Sequence, residues 1–431
     1  MPEDVVRVGL LGCGHVGSAL VRLITENSDA IEARTGIRLQ VTRVAVRNLS
    51  RERDVALPAS VFTNDANAVV GDADVDVVVE VIGGIEPARE LIVHALTSGK
   101  SVVTANKELL ANFGKELFET AETSGVDLLF EASVAGGVPL MRPLRESLAG
   151  DRITRVMGIV NGTTNYILTR MAEEGASFTD ALAEAQTLGF AERDPTADVE
   201  GFDAAAKAAI IATIAFGARV VAGDVYREGI SELTDADMAS ARELGYVVKL
   251  LAVAEEDVHG VAVRVHPTMI PASHPLASVR ESFNAVFIEA DAVGELMFYG
   301  RGAGGAPTAS AVLGDLIDAS KNLVSGRRGA TIGALARKPV RPIDEVESQF
   351  YLQLEVADQP GVLAEIATQF GEHDVSIKSM QQMGIGDDAR IIFITHRARE
   401  ADLRRTVHAL RDVKSVHRVG SVLRVMGDEP G

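Results

Sequence analysis

Lys207 is the residue whose type and surroundings most invite chemistry. The run 204–218, AAAKAAIIATIAFGA, is apolar on nearly every face and predicts a buried helix with Lys207 as its only ionisable residue. Burying an ammonium without a partner is costly. Asp203 lies four residues earlier, on the same helical face. The segment before it adds Glu192, Asp194 and Asp198. One cation among several carboxylates suits amino-acid binding and proton transfer; a structural ion pair is the alternative. Lys107 follows the predicted strand 101–105 at its carboxyl end, where ligands gather in open α/β sheets. It is either a group beside a substrate oxygen or an ordinary first-turn helix residue. The segment Asn161-Gly162-Thr163-Thr164-Asn165-Tyr166 joins a strand to a helix, and the free N–H groups at such a start suit a carboxylate. Helix capping by Thr163 or Thr164 is the alternative.

A second chemistry is written in Gly12-Cys13-Gly14-His15-Val16-Gly17, a G-x-G-x-x-G loop between a predicted strand and a predicted helix. In that context Gly12 permits the tight turn, Gly14 lets the backbone approach a pyrophosphate, and Gly17 lets helix and strand pack closely. The N–H groups of His15 and Val16 open the helix and offer donors and partial positive charge. Dinucleotide binding is the expectation; a glycine-rich turn without a ligand is the alternative. Arg47 follows the second strand, where an acidic residue would meet ribose hydroxyls. An arginine suits a 2′-phosphate, which favours NADP(H) over NAD(H); a solvated surface arginine is the alternative. Cys13, the only cysteine, lies inside this loop as a small filler, misplaced for a catalytic thiol. Thioester chemistry is therefore disfavoured, and alcohol–aldehyde exchange, which needs only cofactor and acid/base, is not.

These groups need elements to position them. Residues 5–11, 39–46, 75–82, 101–105 and 126–130 read as strands, with helical spacing between them, starting at 15–33. The alternation predicts an α/β, Rossmann-like, doubly wound parallel sheet over 1–150. From 151 the pattern changes. A strand at 152–160, helices near 163–174, 178–188 and 203–217, paired strands over 247–270 and 284–299, and a helix at 307–324 predict an α+β substrate domain over 151–324. Residues 325–347, rich in Gly, Arg and Pro, predict a linker. Over 348–426, strands at 351–356, 375–383, 389–395 and 416–425 with helices at 361–373 and 401–410 predict a small, independent βαββαβ (ferredoxin-like) domain.

Composition narrows the function. The 431 residues exceed one typical core. The net charge of −19 argues against nucleic acid, whose phosphates need clustered Lys and Arg. One cysteine rules out an internal disulfide framework and a Cys-based zinc cluster, and fits a reducing cytoplasm. The acidic start Met1-Pro2-Glu3-Asp4 does not resemble a signal peptide, and no apolar run reaches a membrane span.

Taken together, these residues resemble the homoserine dehydrogenase family. Its signature, A-x3-G-[FY]-[aliphatic/small]-x2-D-P-x2-D-x2-G-x-D-x3-K, runs without a gap from Ala185 through Gly189, Phe190, Asp194, Pro195, Asp198, Gly201 and Asp203 to Lys207. Thr104-Ala105-Asn106-Lys107 and Asn161-Gly162-Thr163-Thr164 are similar to further family segments. The resemblance implies NAD(P)-dependent interconversion of L-homoserine and L-aspartate 4-semialdehyde, on the route to threonine, methionine and isoleucine. It implies Lys207 as acid/base, Lys107 near the reacting oxygen and nicotinamide, Glu192 for the substrate ammonium, and Asp198 and Asp203 as orienting groups. Thr163 and Tyr166 join the implied substrate set. Glu131-Ala132-Ser133-Val134-Ala135-Gly136-Gly137-Val138 resembles the family's sodium site, made of the Glu131 carboxylate and the carbonyls of Val134, Gly136 and Val138; oxygen ligands suit a hard cation. Gly302-Ala303-Gly304 resembles a segment that returns to the cofactor. The tail is similar to an ACT domain, with Asp358-Gln359-Pro360-Gly361-Val362-Leu363 as the turn between its first strand and helix. That implies L-threonine as effector, or an inert oligomerisation module; a homodimer or homotetramer is expected. The competing readings are another NADP-linked dehydrogenase with such a tail, and a non-catalytic sensor. The intact Lys107, Asp203 and Lys207 argue against the latter.

Overall fold

A computed structural model describes residues 4–333, 335–384 and 389–427; residues 1–3 of the acidic start lie outside it. Six strands form the first sheet: β1 (Asp4–Leu11), β2 (Ile37–Ala45), β3 (Phe62–Thr63), β4 (Val77–Glu80), β5 (Ser101–Thr104) and β6 (Leu128–Leu129). They run parallel in the order β3-β2-β1-β4-β5-β6. The order reverses between β1 and β4, and this opens a crevice at their carboxyl ends. Alternation of side chains explains the near-continuous valines of β4. Val77 and Val79 pack in the core that holds α1 (His15–Glu26), while Val78 packs on the other face, in the core that holds α4 (Ala88–Thr97) and α5 (Lys107–Ser124). The helical stretch expected over 15–33 is two helices, α1 and α2 (Ser28–Thr35). The break falls at Asn27, whose side-chain amide donates to the Leu23 carbonyl at the end of α1. The strand expected over 126–130 pairs only at Leu128 and Leu129. Helix α3 (Ala66–Val70) was not foreseen; it is short and its apolar pair is Val69-Val70.

The second region is built on β7 (Ile153–Ile159), β8 (Tyr226–Arg227), β9 (Tyr246–Asp257), β10 (Gly260–Pro271), β11 (Phe283–Ala290) and β12 (Gly294–Arg301). Helices α6 (Gly162–Glu174), α7 (Phe178–Thr187), α8 (Thr196–Val199), α9 (Phe202–Phe216) and α10 (Asp235–Glu243) accompany them. Helix α9 is buried nearly all round, as its composition requires. Helix α11 (Gly305–Val324) returns to the first sheet, where Ala309, Val312, Leu316 and Ala319 join the core of α1.

The tail forms β13 (Glu347–Val356), α12 (Val362–Glu372), β14 (Ile377–Met383), β15 (Arg390–Thr395), β16 (Ala398–Arg399), α13 (Glu400–Asp412) and β17 (Val416–Val425). The pattern is the expected βαββαβ, but the unit is not independent. The end of β17 pairs in parallel with β10, Thr268 with Arg424 and Met269 with Val425, so the two sheets merge into one with 11 strands among the described residues. Nor is 325–347 a free linker. Ala336 and Arg219 exchange backbone bonds with Gly217 and Ala336, and Val261 bonds the Pro339 carbonyl at 2.9 Å, which straps the segment to the catalytic region. The periodicity of each unit is local, while these seams join residues far apart in sequence.

Candidate active site

Helix α5 begins at the carboxyl end of β5, so Lys107 occupies its first position. Its N-cap, Asn106, accepts from the Leu109 N–H at 3.0 Å and donates its amide to the Gly84 carbonyl at 2.6 Å. Behind it lies a carboxylate that sequence reasoning missed. Glu80, fully buried at the end of β4, accepts from Thr104 Oγ1 at 2.6 Å and from the N–H groups of Ile82 and Gly83 at 2.9 and 3.0 Å. Thr104 Oγ1 in turn accepts from the Asn106 N–H at 3.0 Å. Three linked residues thus fix where Lys107 starts. The one hint in the sequence was a carboxylate closing a Val-rich strand.

Helix α9 brings its first turn against Lys107. Asp203, 8% exposed, receives Lys207 Nζ on Oδ2 at 2.7 Å and Lys107 Nζ on Oδ1. Lys207 also donates to the Val160 carbonyl at 2.6 Å. The i, i+4 spacing therefore does what the sequence suggested, and Lys107 joins the pair. Burial pushes the Asp203 carboxyl up, but the two ammonium groups prevail and hold it below the usual carboxylate range. Burial lowers Lys207, as does the Lys107 charge, and Asp203 only partly offsets this, so Lys207 falls below the ordinary 10.5. Lys107 is half-exposed and forms the open side of the cluster.

Asn161 is expected from the sequence only as the first residue of a strand-to-helix segment, with no role for its side chain. The structure makes it the bridge. Its amide donates to Asp198 Oδ1 at 2.7 Å and to Asp203 Oδ2 at 2.8 Å, and its Oδ1 accepts from the Thr164 N–H at 2.8 Å. Asn161, and neither Thr163 nor Thr164, is the N-cap of α6, which corrects the alternative of threonine capping. Asp198 is raised by burial, an effect that the Asn161 amide partly offsets. Thr163 donates to the Phe190 carbonyl at 2.6 Å. Tyr166 is 3% exposed with its ring 5.0 Å from Phe190, so here it packs the wall and does not open onto the cluster. Glu192 is exposed; its backbone carbonyl accepts from the Gln186 side-chain amide at 3.0 Å, while among the described residues no ion pair or hydrogen bond engages its carboxylate.

The glycine loop borders the crevice beside β4. Gly12 has φ +99°, and a Cβ on it would lie 2.9 Å from the Val81 carbonyl oxygen. A Cβ on Gly17 would lie 2.2 Å from the Gly12 carbonyl oxygen, so helix and turn touch only because it is glycine. Gly14 differs: a Cβ there meets nothing within 4 Å. The backbone is bare on that side, and Gly14 caps α1 without a side chain, leaving first-turn N–H groups for a ligand. Cys13 is buried, with its sulfur 3.4 Å from Ser18 Oγ. Arg47 is exposed beyond β2. The return segment does reach the loop: a Cβ on Gly305 would be 3.1 Å from the His15 carbonyl oxygen. Gly302 meets the 134–138 turn, where a Cβ on Gly136 would be 2.3 Å from its carbonyl oxygen; Gly304 caps α11.

That turn carries the expected cation ligands. Glu131 is buried and accepts from the N–H groups of Leu140, Met141 and Arg142. Three of about four carboxylate lone-pair sites are thereby used. The carbonyls of Val134, Gly136 and Val138 belong to buried residues, and among the described residues no hydrogen-bond donor reaches them. A hard cation satisfies such a set, so these residues fit one. Among the described residues, no three His, Cys, Asp or Glu side chains cluster to hold a metal, and no helix is long and apolar enough to cross a membrane. In the tail, Gly361 caps α12 at φ +96°, with Val362 buried and Asp358, Pro360 and Leu363 exposed around the turn.

Comparisons with known proteins agree with this layout. Residues 12–131 match the model for the homoserine dehydrogenase NAD-binding domain, 139–317 that for homoserine dehydrogenase, and 350–415 that for the ACT domain. The homoserine dehydrogenase of Corynebacterium glutamicum is 51% identical over 432 residues, 99% of this chain and 97% of its own length. The crystal structure of a homoserine dehydrogenase from Thiobacillus denitrificans superposes with a TM-score of 0.93 at 42% identity, covering 98% of each chain. A hyperthermophilic archaeal homoserine dehydrogenase in complex with NADPH covers 73% of this chain and 98% of its own, with a TM-score of 0.63 and 31% identity. Its match thus leaves about a quarter of this chain without a counterpart. With matched models spanning its sheet, its catalytic region and its tail, and a full-length relative at 51% identity, the chain belongs to the homoserine dehydrogenase family and carries an ACT domain.

Proposed function

We propose that this chain interconverts L-homoserine and L-aspartate 4-semialdehyde, with NADP(H) favoured over NAD(H). The observation that carries the reading is the Lys107–Asp203–Lys207 cluster, a buried, charge-compensated lysine beside a half-exposed one at the mouth of a dinucleotide crevice. A bound nicotinamide supplies or accepts the hydride. Lys207 Nζ carries the proton that the substrate oxygen gains or loses. Asp203 stays anionic and holds both ammonium groups in place, and Lys107 stabilises charge on that oxygen. Glu192 and Asp198 receive and orient the amino-acid end. Residues 1–150, with the return near 300–324, hold the cofactor; 151–324 hold the substrate; 325–347 join them to the regulatory residues 348–426.

The glycine geometry supports cofactor binding and separates two variants. Gly14→Ala has room in the fold, so the melting temperature should hold while the cofactor KM rises at least about tenfold, equivalent to about 1.4 kcal/mol. Gly17→Ala must push α1 off its turn, and should cost about 1–3 kcal/mol of stability as well. Arg47→Ala should weaken NADPH and spare NADH, because only the former has a 2′-phosphate to lose. Steady-state titration with each nucleotide reads both effects.

Glu131 with the carbonyls of Val134, Gly136 and Val138 would hold a sodium ion, next to the segment that borders the cofactor loop. L-threonine acting through the turn 358–363 is the effector we favour. The edge strand β14 is exposed almost throughout, which supports a homodimer or homotetramer. The test is nicotinamide absorbance with aspartate semialdehyde and sodium, with and without L-threonine. Turnover slowed by threonine supports enzyme and sensor together, and turnover indifferent to it removes the effector. No turnover with either nucleotide removes the reaction.

A further inference from the structure

Arg424, near the end of β17, is 6% exposed, and its guanidinium makes two two-pronged contacts. Nε and one terminal nitrogen reach Glu400 at 2.5 and 2.8 Å, inside the ACT unit at the start of α13. The terminal nitrogens reach Glu228, in the catalytic region, at 2.8 and 3.0 Å. Tyr226 lies beneath the guanidinium, 5.4 Å from ring centroid to Cζ, and its hydroxyl donates to Glu228. Planar, paired contacts of this kind fix geometry as well as charge.

What Glu228 touches next matters for the reaction. Gly229 presses on the loop that follows Asp198: a Cβ there would lie 2.5 Å from the Val199 carbonyl oxygen. Ile230 N–H donates to that same carbonyl at 2.8 Å, and Ser231 Oγ donates to Glu200. On the other side, Gly201, with φ +77°, caps α9 close to the Glu228 carbonyl. Residues 199–201 therefore run from Asp198 to Asp203 along a strap whose first residue is held by the ACT strand. Asn161 then ties those two carboxylates to each other.

We infer that Arg424 and Glu228 are positioning residues for the reaction: the ACT unit holds the Asp198–Asp203 loop in its substrate-binding geometry through this contact. The inference rests on the proposed homoserine chemistry for what is positioned, though not for the contact itself. An ACT ligand that shifts β17 or the start of α13 has this contact as its route to the site.

The experiment uses the full-length chain with Glu228→Gln, Arg424→Lys and the double variant. Small displacements of a positioned group cost up to about a hundredfold, so KM for homoserine should rise by roughly 10- to 100-fold in each single variant. KM for NADP should stay at the wild-type value, because among the described residues no hydrogen bond or ion pair joins the glycine loop to the strap. The double variant should be no worse than the poorer single one, since both break one contact. Amide exchange should quicken over 196–203 and stay unchanged in the six-stranded sheet. Wild-type homoserine KM with wild-type exchange at 196–203 overturns the inference, as does an equal rise in both KM values, which means general loosening. If the wild-type chain turns over no homoserine, the functional reading fails by itself. Exchange at 196–203 then decides the contact: faster in the variants upholds it, unchanged overturns it.

Discussion

Replacing Lys207 with Met should lower kcat by about 10²- to 10⁴-fold in both directions, the range that a positioned acid/base contributes. Met fills the apolar surroundings of α9, and Asp203 keeps Lys107 as its partner, so the fold should survive. Cofactor affinity should be unchanged, since none of the contacts of Lys207 lies in the glycine loop. Lys107→Met should cost less. Lys107 is half-exposed and is proposed to lend charge, whereas Lys207 is the buried group whose pKa burial lowers. Steady-state kinetics with homoserine and NADP, beside direct binding of NADPH, would separate the two lysines. Equal losses for both would remove the division of labour proposed for them.

Asp203→Asn should be the most destabilising change in the site, at about 3–5 kcal/mol, because it removes the ion-pair partner of the buried Lys207 ammonium and leaves only the more distant charge of Asp198 to offset it and Lys107. The pH dependence follows from the signs. The folded-state pKa of Asp203 is depressed, so its contribution is present above the unfolded carboxylate value and is lost as pH falls through the lower, folded one. Lys207 is lowered on folding, so between its folded value and 10.5 the unfolded chain binds more protons, and stability rises with pH across that window. In Asp203→Asn the acid-side contribution vanishes. The alkaline window widens, because Asp203 was raising Lys207. Urea unfolding at a series of pH values measures both. Wild-type stability in Asp203→Asn would mean that the carboxylate is solvated and the cluster is not built as described.

The sequence exposed those parts of the site whose partners are near in the chain. Lys207 and Asp203 are four apart on one helix, and the run that holds them is too apolar to leave a lysine unexplained. The glycines of the cofactor loop were legible from their own spacing between a strand and a helix, although only the clash at Gly17, with Gly12, is local; Gly12 is crowded by Val81 and Ile82, and Gly14 faces open space. Glu80, Asn161 and Arg424 escaped a role. Their partners lie 24, 37 to 42, and 196 residues away, and nothing local distinguishes a carboxylate that caps a loop from one that faces solvent. The same reason explains the two misjudged seams. The βαββαβ pattern of the tail is local and was legible, while the pairing of β17 with β10 spans two units, each self-consistent alone. Residues 325–347 have linker composition, yet the backbone groups of Ala336, Pro339 and Arg341 find partners at Gly217, Arg219 and Val261 of the second region. Tyr166 shows the converse: it belongs to a suggestive segment, but its neighbours are Phe190 and the core.

The account turns on Lys207 as a proton carrier with lowered affinity, and the pH dependence of kcat/KM for homoserine oxidation tests that most directly. Oxidation needs the neutral amine, so the rate should climb with pH, with a midpoint below 10.5 set by Lys207. That rising limb should vanish in Lys207→Met and persist in Lys107→Met. A limb unchanged in Lys207→Met would contradict the assignment and move the proton to another group.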